Sequence, residues 1–270
     1  MKSIKPKIGV TIPARNEEKY LPKTLGALLS QTIKPHIIVV VDDGSTDATP
    51  KVAEKFGATV IRLSDRGFRS VGLPLVAQVV NVGLKFLERE NIDYVMKLDA
   101  DHVLSRTYIE EIIRAMVEDK RLVVASGIIV GEASYSVMPR GSGRVIRASW
   151  FRRVGFRYPV WWGYESWLLY KALKMGMRVE VVKSARSWVQ RKTAWSPLEL
   201  YEWGRGMRAL GYHPVYAISR SFYTLVKRGL SNMTYMLIGY FTPTAKYEDI
   251  ENFVRAYTIR LLFKRVLSLI

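Results

Sequence analysis

Short apolar runs alternate with stretches of helical periodicity through the first half of the chain, and this alternation narrows the possible folds more than any other feature. The apolar runs predict strands at residues 8–13, 36–41, 59–63, 94–98 and 122–130. Alternating strands and helices form right-handed βαβ units in one open sheet with helices on both faces. The sequence therefore predicts an α/β fold.

The segments between these strands carry helix signals. Asn16 precedes two acids and predicts a helix cap, after which Leu21, Leu25, Leu28 and Leu29 recur near the helical period and are expected to point inward. Gly57 is placed to end the next helix, because glycine adopts the left-handed conformation found there. Further helices are predicted at residues 71–90 and 108–117.

The amino-acid composition of the chain changes after Gly131. Glycine and arginine dominate as far as about Pro159, and a helix at residues 166–174 and a strand at residues 178–183 follow. From Pro197 onward the sequence predicts helices rich in aromatic residues. We predict a catalytic domain over residues 1–198 and a helical, basic C-terminal extension over residues 199–270.

The formal net charge of the chain is +18. Such a charge attracts nucleic acid, anionic lipid or phosphorylated substrates, although solubility alone is an alternative explanation. The chain has no cysteine, which excludes disulfides and thiolate metal sites. The sequence pattern predicts neither a signal peptide nor a membrane-spanning helix. We expect a cytoplasmic protein, peripheral on the inner face of the cell membrane.

Polar clusters follow three of the predicted strands, at residues 13–17, 42–47 and 99–101. Ligands of open α/β sheets bind beyond the carboxyl ends of the strands, so these clusters predict a binding site. Asp99 and Asp101 can point the same way from an extended chain. Their carboxylates suit Mg²⁺ or Mn²⁺ that also binds a diphosphate, although a D-x-D pair alone is common in loops.

Three motifs together carry a resemblance to a known family. They are IPARNEEKYLPKTLGALLSQT, VVVDDGSTDAT, and LDAD after an upstream Asn81-Val82-Gly83. Over roughly residues 7–195 the chain resembles family 2 glycosyltransferases. The resemblance implies a GT-A fold, which is a Rossmann-like, open mixed sheet with helices on both faces. It also implies inverting, metal-assisted transfer from a nucleotide-sugar donor.

The resemblance also implies roles for individual residues. The predicted nucleotide-sugar contacts are Pro13, Arg15, Glu17, Asp42, Asp43, Arg69 and Asp99, and the predicted metal ligands are Asp101 and Asp99. Glu165 stands where the family has the first residue of a Glu-Asp pair that supplies its general base, while Ser166 replaces the Asp. A glutamate in the first turn of a helix, stabilised by the helix dipole, is the structural alternative.

The acceptor side is predicted from basic and aromatic residues. Gln190 and Arg191 stand near the position at which many relatives carry a histidine, and they either contact the metal or diphosphate or lie in a solvated loop. Residues 133–164 contain arginines and no acid, which suits an anionic acceptor such as a lipid-linked phosphate. The named candidates are Arg144 and Arg147, together with Trp161 and Trp162, which either stack on a sugar or belong to the core.

The last segment, residues 250–270, places apolar residues near one helical face beside several basic ones. That composition suits an interfacial helix on an anionic membrane, and equally a helix packed on its own domain or in a dimer.

The leading functional prediction is an inverting transferase that moves a sugar to a hydroxyl or lipid-phosphate acceptor. Alternatives are a catalytically inactive sugar-nucleotide-binding relative, motivated by Ser166 and Gln190, and a basic nucleic-acid-binding protein. A nucleic-acid-binding protein would not need acidic residues at the ends of several strands. We therefore expect no specific nucleic-acid partner. A nucleotidyltransferase is disfavoured because the first strand lacks a following glycine-rich loop.

Overall fold

The computed structural model describes residues 6–67, 74–132, 138–191 and 196–267. These residues form two compact units. The first comprises residues 1–69, 78–158 and 176–192, and the second comprises residues 70–77, 159–175 and 193–270. The aromatic segment before residue 175 therefore groups with the C-terminal helices, whereas the predicted boundary after residue 198 stays a prediction.

The first unit is built on a mixed sheet. In chain order the strands are β1 (Ile8–Ala14), β2 (Ile37–Asp42), β3 (Thr59–Arg62), β4 (Tyr94–Lys97), β5 (His102–Leu104), β6 (Leu122–Ile129), β7 (Arg144–Arg147) and β8 (Arg178–Val189). They lie in the order β3-β2-β1-β4-β7-β6-β8-β5. β7 and β5 run antiparallel to their neighbours, and the other pairings are parallel. The strands β5 and β7 were not predicted.

Ten helices are described. They are α1 (Leu21–Leu29), α2 (Thr49–Lys55), α3 (Leu75–Glu88), α4 (Tyr108–Glu118), α5 (Ala148–Arg153), α6 (Tyr164–Lys174), α7 (Pro197–Leu210), α8 (Pro214–Arg228), α9 (Leu230–Phe241) and α10 (Glu251–Leu267). Two local predictions need correction. Asn16 has a φ of 55° and caps no helix, since α1 begins after Tyr20. Leu29 is exposed instead of pointing inward.

Alternation along β1 places helices on both faces of the sheet. Ile8, Val10 and Ile12 join the buried cluster that also contains apolar residues of α1, α2 and α4. The opposite face contacts α3, because a Cβ added at Gly9 would meet Leu87, and one added at Gly83 would meet Thr11 Oγ1 at 2.1 Å. The predicted two-sided α/β sheet is confirmed.

The second unit has a separate helical core made by α7, α8 and α9. Its buried cluster comprises Leu200, Met207, Ala217, Met236 and Tyr240. α7 and α9 approach backbone to backbone, because a Cβ added at Gly239 would lie 2.0 Å from the carbonyl oxygen of Tyr201. Among the described residues, no helix is long and apolar enough to cross a membrane.

Candidate functional site

The carboxyl ends of β1, β2 and β4 meet at one edge of the sheet. Ala14 pairs with Asp42 and Thr11 pairs with Lys97 in the parallel register, so the three polar clusters leave the sheet together. β8 ends at the same place, because its Val189 pairs with His102 of β5. The candidate site is therefore assembled from four chain segments that are far apart in sequence.

Arg191 connects two of the predicted acidic residues. Its Nε donates to Asp101 Oδ2 and a terminal nitrogen donates to Glu17 Oε1, each at 2.8 Å. The guanidinium also lies 4.7 Å from the ring centroid of Tyr20. Burial by itself would lower the pKa of Arg191, but the hydrogen bonds that it donates to Asp101 and Glu17 outweigh burial and raise that pKa. The three side chains form a charged cluster, Glu17–Arg191–Asp101.

Neighbouring backbone and hydroxyl groups position this cluster. Glu17 is buried, and its backbone N–H donates to Thr49 Oγ1 at 2.7 Å. The backbone N–H of Gln190 donates to the carbonyl of Asp101 at 2.9 Å, which sets Arg191 beside it. The amide nitrogen of Gln190 donates to the carbonyl of Tyr20 at 2.9 Å, so this side chain braces the start of α1.

The Asp-Asp-Gly turn after β2 is tightly built. Asp42 is fully buried; its Oδ1 accepts from the backbone of Ser45 at 3.0 Å and its Oδ2 accepts from Arg62 at 3.1 Å. Gly44 has a φ of 73°, and an added Cβ would lie 2.5 Å from the Cα of Asp65. These contacts give Asp42 a clear structural role in shaping the turn.

Asp43 and Arg15 are in direct contact. A terminal nitrogen of Arg15 donates to the carbonyl of Asp43, and another pairs with Asp65 at 2.6 Å. The carboxylate of Asp43 accepts from Arg66. The hydrogen bond that Arg15 donates lowers the pKa of Asp65, so the carboxyl group of Asp65 stays ionised. Pro13 is half-buried in β1, two residues before Arg15, whereas Arg69 lies outside the described residues.

Lys97 and His102 flank the Asp-Ala-Asp turn. The Lys97 ammonium is buried and pairs with Asp99 Oδ1 at 2.7 Å. Desolvation opposes ionisation of Asp99, but the charge and hydrogen bond of Lys97 prevail and lower its pKa. His102 is buried, and its Nδ1 lies 2.6 Å from Ser142 Oγ. Burial lowers the pKa of His102 to about 4, so this ring is neutral at pH 7.

The chain supplies few ligands for a metal ion at this edge. Among the described residues no group of three or more acidic or histidine side chains could hold one. Asp99 and Asp101 offer hard oxygen ligands of the type that Mg²⁺ and Mn²⁺ prefer, although one oxygen of each already has a cationic partner. These carboxylates fit a metal ion only together with oxygens from a ligand such as a diphosphate.

Arg144 and Arg147 have backbone partners away from the Asp101–Arg191 pair, and their predicted place at the acceptor stays a prediction. Arg144 is fully buried, and its guanidinium donates to the carbonyls of Arg140 and Pro139 at 2.8 and 3.0 Å. Arg147 donates to the carbonyl of Met116 in the last turn of α4, where a cation offsets the helix dipole. Both arginines stabilise the fold of the first unit.

Glu165 lies in the second unit, in the first turn of α6, and is half-buried. The helix follows Gly163, which has a φ of 76°, and an added Cβ there would lie 2.9 Å from Leu210. A larger residue at 163 would therefore displace α6 from α7. This packing fixes where Glu165 starts its helix.

Two tryptophans precede Glu165, and both have polar partners. Trp161 donates from its ring nitrogen to the carbonyl of Ala245 at 2.9 Å, and Trp162 donates to the carboxylate of Glu202. The guanidinium of Arg205 lies 3.5 Å from the ring centroid of Trp162, so one ring face is covered. Sequence reasoning missed Glu202. Burial raises its pKa although Arg205 opposes the shift, and no motif indicated it.

The apolar face of α10 packs within the second unit. Val254 and Thr258 are buried, and the ring of Tyr257 lies 5.8 Å from that of Tyr170. The hydroxyl of Thr258 accepts from the backbone N–H of His213 at 3.1 Å. Of the alternatives left open for this helix, these contacts favour packing on its own domain.

Comparison with known sequences decides the family. The sequence model described as glycosyl transferase family 2 matches residues 9–182, which is well over half of the chain. The chain belongs to glycosyl transferase family 2.

Two relatives illustrate this membership. The chain is 34% identical over 112 residues to glycosyltransferase GlyA of Streptococcus pneumoniae serotype 4, covering 42% of this chain. It is 45% identical over 56 residues, or 21% of this chain, to the 4,4'-diaponeurosporenoate glycosyltransferase of Staphylococcus aureus strain USA300. The match spans only 15% of the length of each of these curated relatives.

Solved structures share the fold of this family 2 chain. TarS 1–349 of S. aureus in complex with UDP has a TM-score of 0.55 at 20% identity, over 75% of this chain and 64% of that one. Mannosyltransferase PcManGT of Pyrobaculum calidifontis in complex with GDP-Man and Mn²⁺ has a TM-score of 0.62 at 16% identity, over 88% and 69%. The likeness confirms the predicted GT-A fold.

Proposed function

We propose that this family 2 chain transfers a sugar, with inversion, from a nucleotide-diphosphate sugar to a hydroxyl or a lipid-linked phosphate. The observation that carries the proposal is the Glu17–Arg191–Asp101 cluster at the carboxyl edge of the sheet. Ligands of open α/β sheets bind at that edge. Solved structures of similar fold bind UDP and GDP-Man, which supports a nucleotide-sugar donor.

The transfer exchanges one bond at the anomeric carbon for another. An acceptor oxygen attacks that carbon while the bond to the diphosphate breaks, and the electron pair leaves with the nucleoside diphosphate. Arg191, with its forked donors, is suited to bind the negative charge that develops on this leaving group. Arg15, Asp43 and Pro13 are proposed to line the nucleotide pocket.

The proton of a hydroxyl acceptor needs a base, and Glu165 is the proposed one. With a phosphate acceptor, which is already ionised at neutral pH, the attacking oxygen carries no proton and Glu165 would be dispensable.

We place the catalytic domain at residues 1–198 and the helical extension at residues 199–270.

The proposed function includes assistance by Mg²⁺ or Mn²⁺. Asp101 would ligate the ion, with Asp99 as the second carboxylate. When bound, such an ion supplies Lewis-acid stabilisation of the leaving diphosphate. The structure of PcManGT contains Mn²⁺, which supports this choice by analogy of fold. Lys97 keeps Asp99 ionised, and its ammonium occupies one of the two carboxylate oxygens.

A thermal-stabilisation screen tests the proposal. UDP-, GDP- and dTDP-sugars are added one at a time with Mn²⁺, because a ligand that binds only the folded state raises the melting temperature. We expect one nucleotide class to stabilise the wild type, and the Mn²⁺-dependent part of the shift to disappear in Asp101→Asn. If no nucleotide sugar stabilises the protein with or without Mn²⁺, the proposed function is wrong.

A second candidate is a sugar-nucleotide-binding protein without transfer activity. It is motivated by Ser166 in place of the family's Asp, and by the amide nitrogen of Gln190, which bonds to Tyr20. Stabilisation by a nucleotide sugar with no release of nucleoside diphosphate, across hydroxyl and lipid-phosphate acceptors, would favour it.

A further inference from the structure

The polarity of α8 is the reverse of that expected for a helix of a water-soluble domain. Its buried positions are Tyr216, Ala217, Ser221 and Thr224, and all of these except Tyr216 are small or polar. Large apolar or aromatic residues lie on its exposed positions, at spacings of three, four and seven: Val215, Phe222, Tyr223 and Val226. A helix at the surface of a water-soluble domain usually buries its apolar face and exposes its polar face to water.

α9 extends this apolar surface. Its 12 residues include no charged side chain, and its exposed large apolar residues are Leu230, Tyr235, Ile238 and Phe241. An open concavity of about 560 Å³, lined by Thr234, Leu237, Ile238, Phe241 and Thr242, lies on this helix. Contiguous apolar surface of this kind marks a binding face for a protein or a membrane.

Charge selects between these two partners. Residues 203–247 contain no Asp or Glu, and their basic residues are Arg205, Arg208, Arg220, Lys227, Arg228 and Lys246. Only Gly229 separates α8 from α9, so Lys227 and Arg228 lie in the chain between the exposed Val226 and Leu230. A second copy of this chain would bring positive charge against positive charge. An anionic bilayer complements both the apolar side chains and the charge.

We propose that the α8–α9 surface, defined as Val215, Phe222, Tyr223, Val226, Leu230, Tyr235, Ile238 and Phe241, docks on an anionic lipid bilayer. The aromatic residues enter the interfacial region, and the aliphatic ones reach the acyl boundary. The inward positions of α8 remain free to pack on the other helices of the unit. The proposal uses none of the residues assigned to sugar transfer and is independent of that activity.

The lack of cysteine allows a direct test by site-specific labelling. Val226, 81% exposed, is replaced in Val226→Cys and labelled with a polarity-sensitive fluorophore, and Val117→Cys on α4, 62% exposed, is the matched control. With vesicles of phosphatidylcholine and phosphatidylglycerol, we expect a blue shift of the emission at 226 and none at 117. Pure phosphatidylcholine should give a much smaller shift. An emission at 226 that ignores anionic vesicles would overturn the proposal.

Vesicle flotation tests the same surface by removal of its apolar groups. Phe222→Ser/Val226→Ser should weaken binding to anionic vesicles by about tenfold or more, since two apolar side chains no longer leave water. Val117→Ser and Phe263→Ser, which alter exposed apolar residues on α4 and α10, should float like the wild type. Lys227→Gln/Arg228→Gln should reduce the preference for phosphatidylglycerol.

Other results contradict the proposal. If the double serine variant binds anionic vesicles as well as the wild type does, Phe222 and Val226 do not contact the bilayer. A dimer that this variant converts into a monomer in sedimentation, without vesicle binding by the wild type, would assign the surface to a second copy. If the variant loses helicity by circular dichroism, the labelled Val226→Cys protein decides alone.

Discussion

Asp101 has a cationic partner in the structure, since Arg191 donates to it at 2.8 Å. A metal ion at Asp101 must compete with this guanidinium. We therefore expect Arg191→Gln to tighten Mn²⁺ binding in the absence of donor by about tenfold, because a positive charge next to the ligand is removed. The amount of free Mn²⁺, measured by electron paramagnetic resonance, gives the affinity.

Arg178 provides the matched control for this experiment. It pairs with Asp119 and Glu180 at the other end of β8, so Arg178→Gln removes an equivalent two-carboxylate contact. Its Mn²⁺ affinity should equal that of the wild type. Equal affinities for Arg191→Gln and the wild type would argue against Asp101 as the ligand.

Glu165 gives a prediction that depends on the acceptor. If it is the base for a hydroxyl acceptor, Glu165→Gln lowers kcat by roughly 10²–10⁴ while the dissociation constant of the donor changes little. Glu202→Gln tests the carboxylate that burial makes a rival base. Should only Glu202→Gln lose turnover, the assignment passes to Glu202.

The buried His102 predicts an acid-sensitive fold. Its pKa is about 4 when folded and near the usual 6.5 when unfolded, so the unfolded chain binds more protons between these values. Stability therefore falls as pH falls through this window, by about 2 kcal/mol from this residue between pH 6.5 and 5. His102→Gln should remove that part of the pH dependence in urea unfolding with EDTA present, whereas His36→Gln, at an exposed residue, should retain it.

At the scale of elements, the crossing of α7 and α9 depends on glycine. In Gly239→Ala the new methyl group would lie 2.0 Å from the carbonyl oxygen of Tyr201, and we expect a loss of about 1–3 kcal/mol in stability. Gly26→Ala in α1 is the control, because its nearest neighbour would be 4.0 Å away and alanine favours helix by roughly 0.5–1 kcal/mol. Calorimetry that shows both variants equally stable would contradict this packing.

The elements that the sequence predicted are those with a local signal. Each long apolar run was found as a strand because burial on both faces of a parallel sheet leaves that pattern. β5, only three residues long, and β7, which lies in the arginine-rich segment, form through pairing with distant strands that no local pattern reports.

The candidate site was predictable to a similar extent. Acids at strand ends are visible in sequence because parallel strands bring their carboxyl ends together. The hydrogen-bond partner of Asp101 could not be predicted, since Arg191 lies 90 residues away in the sequence. The burial of Arg144 was also unpredictable, because arginine is usually exposed and this one is enclosed by its own loop.

At the scale of the whole molecule, the net charge of +18 predicts a response to salt. Like charges repel in the compact state, and screening shortens from roughly 30 Å to about 8 Å between 0.01 M and 0.15 M ionic strength. We expect the melting temperature to rise over this range of NaCl. Exposed ion pairs such as Arg178–Asp119 lose strength at the same time, but such pairs contribute little.

Sucrose at matched osmolality is the control for this measurement, because it leaves charge repulsion unscreened. A melting temperature that falls with NaCl would mean that attractive pairs outweigh the net repulsion.

The position of β8 in the sheet has a consequence for biosynthesis. β6 ends at Ile129, but its parallel neighbour β8 begins only at Arg178, so the nascent chain presents one bare edge of β6 while the intervening residues are translated. Such an edge is a template for pairing with other chains. At about 5–20 residues per second, this interval lasts seconds. Ribosomal pausing within it would favour aggregates of incomplete chains, and faster codons there would improve the yield of soluble protein.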